Sequence, residues 1–320
     1  MSLESKPKIA KNKALQRRHI AALVAVGDSL SVHAAARQMG MPQPALSRLI
    51  SDAEKMLGGL LFERSSQGCK PTEKGRTVLA QARFVLRGMD QLNVLLSDAR
   101  PTIRLGCIPR AIHTIVPKLL NLVYPASESS EKTEMASSLF DLSIVEGNST
   151  TLMESLIEGK LDFVIVRGMQ RRTGRDSQLH IERLDDDKIV IICAAENKEV
   201  PKIAFPLQKL SVNDWVLPRT QTTSRAAFDN FYQERNFEPI KPVMEVRSFE
   251  ANLALVAGTR FLSIAPESIA KRYGKMGIRI VQTKPSLPSS PVMLAYSSRL
   301  FDNLTFKHFH NFIVLAARSD

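Results

Sequence analysis

Cysteine is scarce in this chain. Its three copies, Cys69, Cys107 and Cys193, are widely separated and odd in number, which argues against a disulfide framework or a zinc cage. No apolar run reaches the roughly 18 residues that a transmembrane helix needs. Residues 1–14 are polar and basic (Lys6, Lys8, Lys11, Lys13), with no apolar stretch behind them to form a secretory signal. The expected location is therefore cytoplasmic and reducing, and the sequons at Asn148 and Asn303 carry no weight. Catalysis has no visible foothold, since Gly-rich phosphate loops, HExxH and GxSxG are all missing. His308 and His310, two apart on an expected helix, face different directions and make no metal pair. The sequence thus suggests no enzyme, no metal site and no cofactor.

Charge is what the chain has in excess. Lys and Arg number 44 against 32 Asp and Glu, a net +12 over 320 residues. Such a balance favours polyanionic partners. Residues 1–75 hold twelve basic and six acidic side chains, so half the excess lies in under a quarter of the length. That asymmetry points to a small N-terminal polyanion-binding module. With 44% apolar residues the chain can bury a sizeable core, and its length suits two or three domains.

Within residues 15–27, Leu15, His19, Ala22, Leu23 and Val26 recur at helical spacing, and Gly27 reads as the stop. Ser29 or Ser31 caps a second helix over Val32–Met39, which Gly40 ends. A third helix is expected over Gln43–Leu57, with Pro44 in its first turn, where the missing N–H is harmless. Leu46, Leu49, Ile50, Ala53, Met56 and Leu57 form its apolar stripe. Gln43, Ser47, Arg48 and Ser51 lie away from it. Two helices joined by a tight Gly-containing turn, over about residues 31–50, match a helix-turn-helix. The polar end of the second would fit a major groove, with Gln43 suited to adenine and Arg48 to guanine or phosphate. Leu60–Arg64 and Gly68–Lys70 read as a short two-stranded wing that brings Arg64 and Lys70 near the backbone or minor groove.

The run from Ala35 to Gly75 resembles the winged helix-turn-helix of LysR-type transcriptional regulators. The matching pieces are Ala35-Ala36, Gln43–Arg48, Glu54, Leu57-Gly58, Leu61-Phe62-x-Arg64, Gly68 and Pro71-Thr72-x-x-Gly75. Two departures stand out. Pro42 occupies a place where the family usually has a hydroxyl, and Ser65-Ser66-Gln67 makes a less basic wing tip. Ser31, Gln43, Pro44, Ser47, Arg48, Arg64 and Lys70 form the expected DNA-facing set.

From Thr72 to about Asp98 the chain has no proline. Val78, Ala82, Val85, Met89, Leu92 and Leu96 step by four and three, a heptad seam flanked by Leu79, Leu86 and Leu95. About 27 residues rising 1.5 Å each would make a rod of about 40 Å. Gly88 is its weak point. The resemblance implies that this helix pairs with its copy in a second subunit, giving a homodimer or homotetramer.

Beyond Thr102, strand-like and helix-like runs alternate. Strands are expected at Thr102–Ile108, Phe140–Val145, Leu161–Val166, Lys188–Ala194, Asp214–Leu217, Val243–Val246, Arg260–Ile264, Ile278–Val281 and Val292–Tyr296. Helices are expected at Ile112–Val123 (Pro117 kinking it or delaying its start), Thr151–Glu158, Ser224–Glu234, Ser248–Ala257 and Phe301–Ala316. This alternation suggests an α/β fold with mostly parallel sheets. Residues 125–138 read as a mobile polar loop, and Arg171, Arg172 and Arg175 as a solvated basic cluster. The region also resembles the family's two-lobed effector domain, similar to periplasmic binding proteins. Tyr124-Pro125, Val145–Ser149, Leu156–Ile165 and Val256–Pro266 carry that resemblance.

The expected whole is an α+β multi-domain chain: a winged helix-turn-helix over 1–72, a dimerising linker helix over 73–100 and a two-lobed α/β effector domain over 101–320. In such a domain the ligand sits between lobes at strand C-termini. Pro109 and Arg110, Asn148 and Ser149, Arg167, and Thr222 and Thr223 are the candidate effector contacts. Hydroxyls at helix starts together with arginine suit an anionic effector. Cys107 and Cys193 fall in strand-like runs, where an inert buried thiol is the commoner state. The expected function is sequence-specific transcriptional regulation under a small-molecule effector. The expected partners are double-stranded DNA, the effector, a second copy of the chain and, as a further candidate, RNA polymerase. No membrane partner is expected. The alternative is a two-lobed binding protein or enzyme whose N-terminal module serves only assembly.

Overall fold

A computed structural model describes residues 14–65, 68–94, 100–125, 140–168, 179–298 and 303–319. The N-terminal lysines, Ser66, Gln67, Leu95, Leu96, nearly all of the polar segment 125–138, the Arg171, Arg172 and Arg175 cluster and Phe301 lie outside the described residues. The chain forms two compact units, one running to Pro101 and the other taking nearly everything from Thr102 on.

In the first unit, α1 (Arg17–Ser29) turns His19, Ala22, Leu23 and Val26 inward. It runs past Gly27, contrary to the expected stop, and ends at Leu30, whose φ of 51° is left-handed. Gly27 is instead a packing residue: a Cβ there would lie 2.7 Å from a methyl of Leu79. Ser31 caps α2 (Val32–Gln38), its Oγ accepting the N–H of Ala34 at 3.2 Å. Ser29 Oγ donates to the carbonyls of Ala25 and Ser31. Helix α3 (Gln43–Leu57) buries Leu46, Ile50 and Ala53, with Leu49 and Leu57 half-buried beside them. Pro42 precedes it without a side-chain cap. Strands β1 (Phe62–Ser65) and β2 (Gly68–Pro71) pair antiparallel as the wing.

Helix α4 (Glu73–Val94) packs on α1 through Leu79, and its Ala82 is buried as well. Its Arg83 guanidinium meets Asp28 at 2.6 Å. Further along the expected seam, Val85 and Leu92 stand exposed. The seam therefore divides into a stretch covered within the unit and a stretch left open.

The second unit has one principal sheet in the order β10-β6-β13-β5-β3-β4, with β11 also pairing with β6. Here β3 is Thr102–Cys107, β4 Asp141–Glu146, β5 Phe163–Arg167, β6 Leu179–Ala194, β10 Ser263–Pro266, β11 Ile278–Val281 and β13 Ser289–Ser297, while β7 (Phe205–Pro206) and β12 (Thr283–Lys284) pair parallel outside it. Strand β3 runs parallel to β4 and β5, whereas β13, β10 and β11 all pair antiparallel. The expectation of mostly parallel sheets is thus corrected. The chain leaves the first lobe along β6 and comes back along β13, so these neighbours must oppose one another. Strand β6 also starts at Leu179 rather than Lys188. Its acidic, half-exposed first half lacks a strand's apolar signature but pairs with β13 all the same.

Separate cores mark two lobes. One gathers Phe140, Phe163 and Phe309 with the β3 and β5 side chains. The other is built round Trp215 and Phe228, and the second lobe has a further cluster of Val190, Ile192, Leu253 and Ile269. The expected helix Ile112–Val123 is two helices, α5 (Pro109–Thr114) and α6 (Val116–Val123). Pro117 lacks the N–H that would continue the first and sits in the opening turn of the second. Helix α7 (Ser149–Ile157) follows β4. In the second lobe, strand β8 (Val216–Pro218) leads to α8 (Thr223–Glu234), and β9 (Met244–Val246) leads to α9 (Phe249–Ala257). Helix α10 (Glu267–Arg272), which follows β10, has no counterpart in the sequence expectation. The terminal helix α11 spans Leu304–Arg318.

Candidate functional site

Two features of the chain offer chemistry to a partner. The first is the N-terminal end of α3. Its buried stripe faces α1 and α2, which leaves Gln43, Pro44 and Arg48 exposed and Ser47 half-exposed. A hollow between α3 and β1 is lined by Ser47, Arg48 and Ser51 with Arg64 and Glu63. The wing register sets Arg64 opposite Cys69 and Lys70 opposite Glu63. Alternation along a strand then turns Arg64 and Lys70 to opposite faces of the hairpin, so the structure separates two side chains the sequence had grouped. Ser31 serves as a helix cap, half-buried.

Three residues outside the expected set hold this surface together. Glu54 Oε1 accepts the backbone N–H of Leu61 at 2.8 Å and of Phe62 at 3.3 Å, tying the wing to α3. Lys74 Nζ donates to the carbonyls of Leu57 and Gly58, satisfying the C-terminal end of α3. Thr72 Oγ1 accepts from Gly75 N–H and donates to Leu60 O. The signal for Glu54 was present in its matching position, but its bond could not be read from spacing.

The second feature is a cavity of about 560 Å³ in the second unit. Pro109, Arg110, Asn148, Ser149, Arg167, Thr222 and Thr223 all line it. They come from the starts of α5, α7 and α8 and from the end of β5, and Ser248 at the start of α9 joins them. Three helix starts, those of α7, α8 and α9, carry side-chain caps from Asn148, Thr222 and Ser248. Arg219, Arg247, Glu146 and Glu250 also line the cavity and were not anticipated.

At its base two arginines share one carboxylate. Arg110 Nε lies 2.7 Å and Arg167 Nη2 2.8 Å from Asp187 Oδ2, and all three side chains are buried. Arg110 also meets the half-exposed Asp185 and donates to Ser268 Oγ at 3.2 Å. Arg167 N–H donates to Ser149 Oγ. The cluster links α5 and β5 of the first lobe through β6 to α10 of the second. Nη1 of Arg110 and Nη1 of Arg167 are both buried without a hydrogen-bond partner. Burial pushes the Asp187 carboxyl up, and the two arginines pull it back. Burial lowers the Arg167 guanidinium, against the pull of Asp187. An unpartnered buried donor on a charged group is costly, and the arginines that carry these two both line the cavity.

The carboxylates in the cavity behave differently. Glu146 ends β4, and Glu250 is the second residue of α9. Burial, then the neighbouring Glu250, pushes the Glu146 carboxyl up, while His113 draws it down. Glu250 is raised by burial, but its own backbone N–H, Ser248 and His113 outweigh that and leave it low. His113 Nε2 stands 3.5 Å from Glu250 Oε1. Among the described residues neither glutamate forms an ion pair with an arginine, and no group of three or more His, Cys, Asp and Glu side chains could hold a metal.

An exposed polar helix end on a winged helix-turn-helix, in one chain with a two-lobed cleft domain, defines the class of a ligand-responsive DNA-binding regulator. Comparison with known proteins agrees. The family model for the LysR substrate binding domain matches residues 133–318, and that for the bacterial regulatory helix-turn-helix protein of the lysR family matches residues 17–76. The chain belongs to the LysR family of transcriptional regulators, which are not enzymes. It is 24% identical over 270 residues to the HTH-type transcriptional regulator GbpR of Azospirillum brasilense, covering 82% of this chain and 75% of that one. It is 48% identical over 86 residues to the small neutral protease regulatory protein of Streptomyces coelicolor, covering 27% of this chain and 25% of that one. Among solved structures, ArgP from Mycobacterium tuberculosis shares the fold with a TM-score of 0.73 at 15% identity, covering 96% of this chain and 98% of that one.

Proposed function

We propose that this regulator reads duplex DNA with the N-terminal end of α3 and responds to an anionic small molecule held in the cleft between its two lobes. The observation that carries the first half is the exposed edge formed by Gln43, Pro44, Ser47 and Arg48 on a helix whose other side is buried. Gln43 and Arg48 read base edges, Arg64 and Lys70 contact phosphates from the two faces of the wing, and Ser31 fixes the helix that crosses the backbone. The observation that carries the second half is the pair Arg110 and Arg167, which line the cavity and each hold a buried Nη1 without a partner. Asn148, Ser149, Thr222, Thr223 and Pro109 shape the walls around them.

Residues 1–72 act as the reading head, 73–100 as a dimerising linker and 101–320 as the sensor. The uncovered stretch of α4 with Val85 and Leu92 supports pairing with a second copy. A two-fold dimer reads a pseudo-palindromic site. Effector binding shifts the population between open and closed lobes and so the spacing of the two heads. RNA polymerase is the further partner at a promoter, and the site of action is the cytoplasm. Among the described residues no helix is long and apolar enough to cross a membrane.

Anisotropy titrations of the full-length protein against duplexes selected from a randomised pool test this reading. Gln43→Ala and Arg48→Ala should each weaken the selected site by about 1–3 kcal/mol, and affinity should fall log-linearly with salt. Unchanged affinity in both variants would remove α3 from the interface.

A further inference from the structure

Four arginines line the cleft: Arg110, Arg167, Arg219 and Arg247. Two carboxylates, Glu146 and Glu250, line it with them, and two more, Asp185 and Asp187, stand behind Arg110 and Arg167, which makes four in all. Its formal charge is therefore balanced before any ligand arrives. The two signs are nevertheless not paired off. Arg110 and Arg167 are satisfied in part by Asp187 and keep one buried donor open each. Glu146 and Glu250 take no arginine. Glu146 feels Glu250 and His113, while Glu250 is held by Ser248 and His113.

A simple anion would satisfy the arginine base and add negative charge to a cavity where two glutamates already repel one another. A simple cation would answer the glutamates and leave the buried guanidinium donors open. We propose that the effector is amphoteric, an amino acid or related amino carboxylate, whose anionic group is taken by Arg110 and Arg167 and whose ammonium group is taken by Glu146 and Glu250. The proposal rests on the reading of this cleft as the effector site and narrows its ligand class.

The amino group's share is measurable. A charge-assisted hydrogen bond to a carboxylate contributes enough to separate an amino acid from the same acid lacking its amino group by about tenfold or more in affinity. The full-length protein is screened by thermal shift and titration calorimetry against the proteinogenic amino acids and their matched desamino carboxylates. At least one amino acid should bind about tenfold more tightly than its desamino partner. Glu146→Gln and Glu250→Gln should each shrink that ratio, and Arg167→Met should remove binding of both compounds, with circular dichroism confirming that the variants fold. Equal affinity for the matched pair, a preference that survives both glutamine variants, or tight binding only of compounds without an amino group would each overturn the amphoteric effector while leaving an anion-binding cleft intact. Failure of every amino acid and also of carboxylates, phosphate and sugar phosphates to bind the wild type would overturn the cleft assignment itself.

Discussion

The Glu54 carboxylate accepts the backbone N–H groups of both Leu61 and Phe62, so a helix residue seven positions away fixes where the wing begins. The side chains of Leu61 and Phe62 are themselves buried, which keeps their N–H groups turned toward that oxygen. Glu54→Ala should therefore lower stability by about 1–3 kcal/mol, the penalty for stranded buried donors. It should weaken DNA binding as well by loosening the wing. Arg64→Ala, which removes an exposed charge, should leave the melting temperature unchanged and reduce the salt slope of DNA binding by about one. Melting curves and salt titrations on both variants separate a frame residue from a contact residue.

Two glycines of α4 should respond in opposite directions to the same substitution. A Cβ on Gly75 would fall on the Leu61 carbonyl oxygen, and backbone cannot give way there as a side chain can. Gly75→Ala should destabilise the head by at least about 1–3 kcal/mol, the usual range for overpacking. Gly88 is exposed with nothing within 4 Å of a Cβ, so Gly88→Ala should gain about 0.5–1 kcal/mol from helix propensity. Denaturant melts of the two variants test the contrast, and a stable Gly75→Ala protein would contradict the close approach.

What could be read from the chain and what could not divide along local and non-local lines. Helix α3 follows from its stripe of Leu46, Ile50 and Ala53, a local period, and its ends fall where the sequence put them. Most of the seven cleft residues could be named because helix starts announce themselves, by Pro109 at α5 and by Asn148 and Thr222 in caps at α7 and α8, and Arg167 because it follows a strand. Gly27 misled because what requires its small size is Leu79, far along the chain and packed against it. Asp187 was invisible for a similar reason. A run of three aspartates reads as solvated surface, and only the β6 pairing with β13 carries one of them inward between Arg110 and Arg167. Glu146 and Glu250 lie more than a hundred residues apart, and their meeting is a property of two lobes.

Asp187 is the sole carboxylate within ion-pair reach of Arg167 among the described residues, and it also holds Arg110. Replacing it with asparagine leaves the buried Arg167 without a counter-charge and Arg110 with only the half-exposed Asp185. Breaking a buried ion pair from one side is strongly destabilising, about 3–5 kcal/mol. Asp187→Asn should therefore melt well below the wild type. High phosphate or citrate should recover part of the loss by supplying the missing charge at the arginines. A variant as stable as wild type, or one indifferent to added anions, would contradict the role given to this carboxylate.

The three thiols should be chemically silent in the native protein. Cys107 lies in the core of the first lobe and Cys193 in that of the second, so the two cannot meet without unfolding a lobe. Burial pushes the Cys107 thiol far up, with Glu146 adding to it. Burial also raises Cys193 and Cys69, with Arg279 and Arg64 respectively opposing. A thiol held in its protonated form is a poor nucleophile and a poor target for peroxide. Native protein treated with N-ethylmaleimide at pH 7.5–8, about one unit below the ordinary thiol range, should keep its mass, whereas the same treatment in denaturant should add three labels. Peroxide should likewise produce no linked pair and no change in DNA affinity. A single rapid label on Cys107 or Cys193 in the folded protein would show that its lobe opens readily, and a peroxide-induced bond between them would overturn the separation of the two cores.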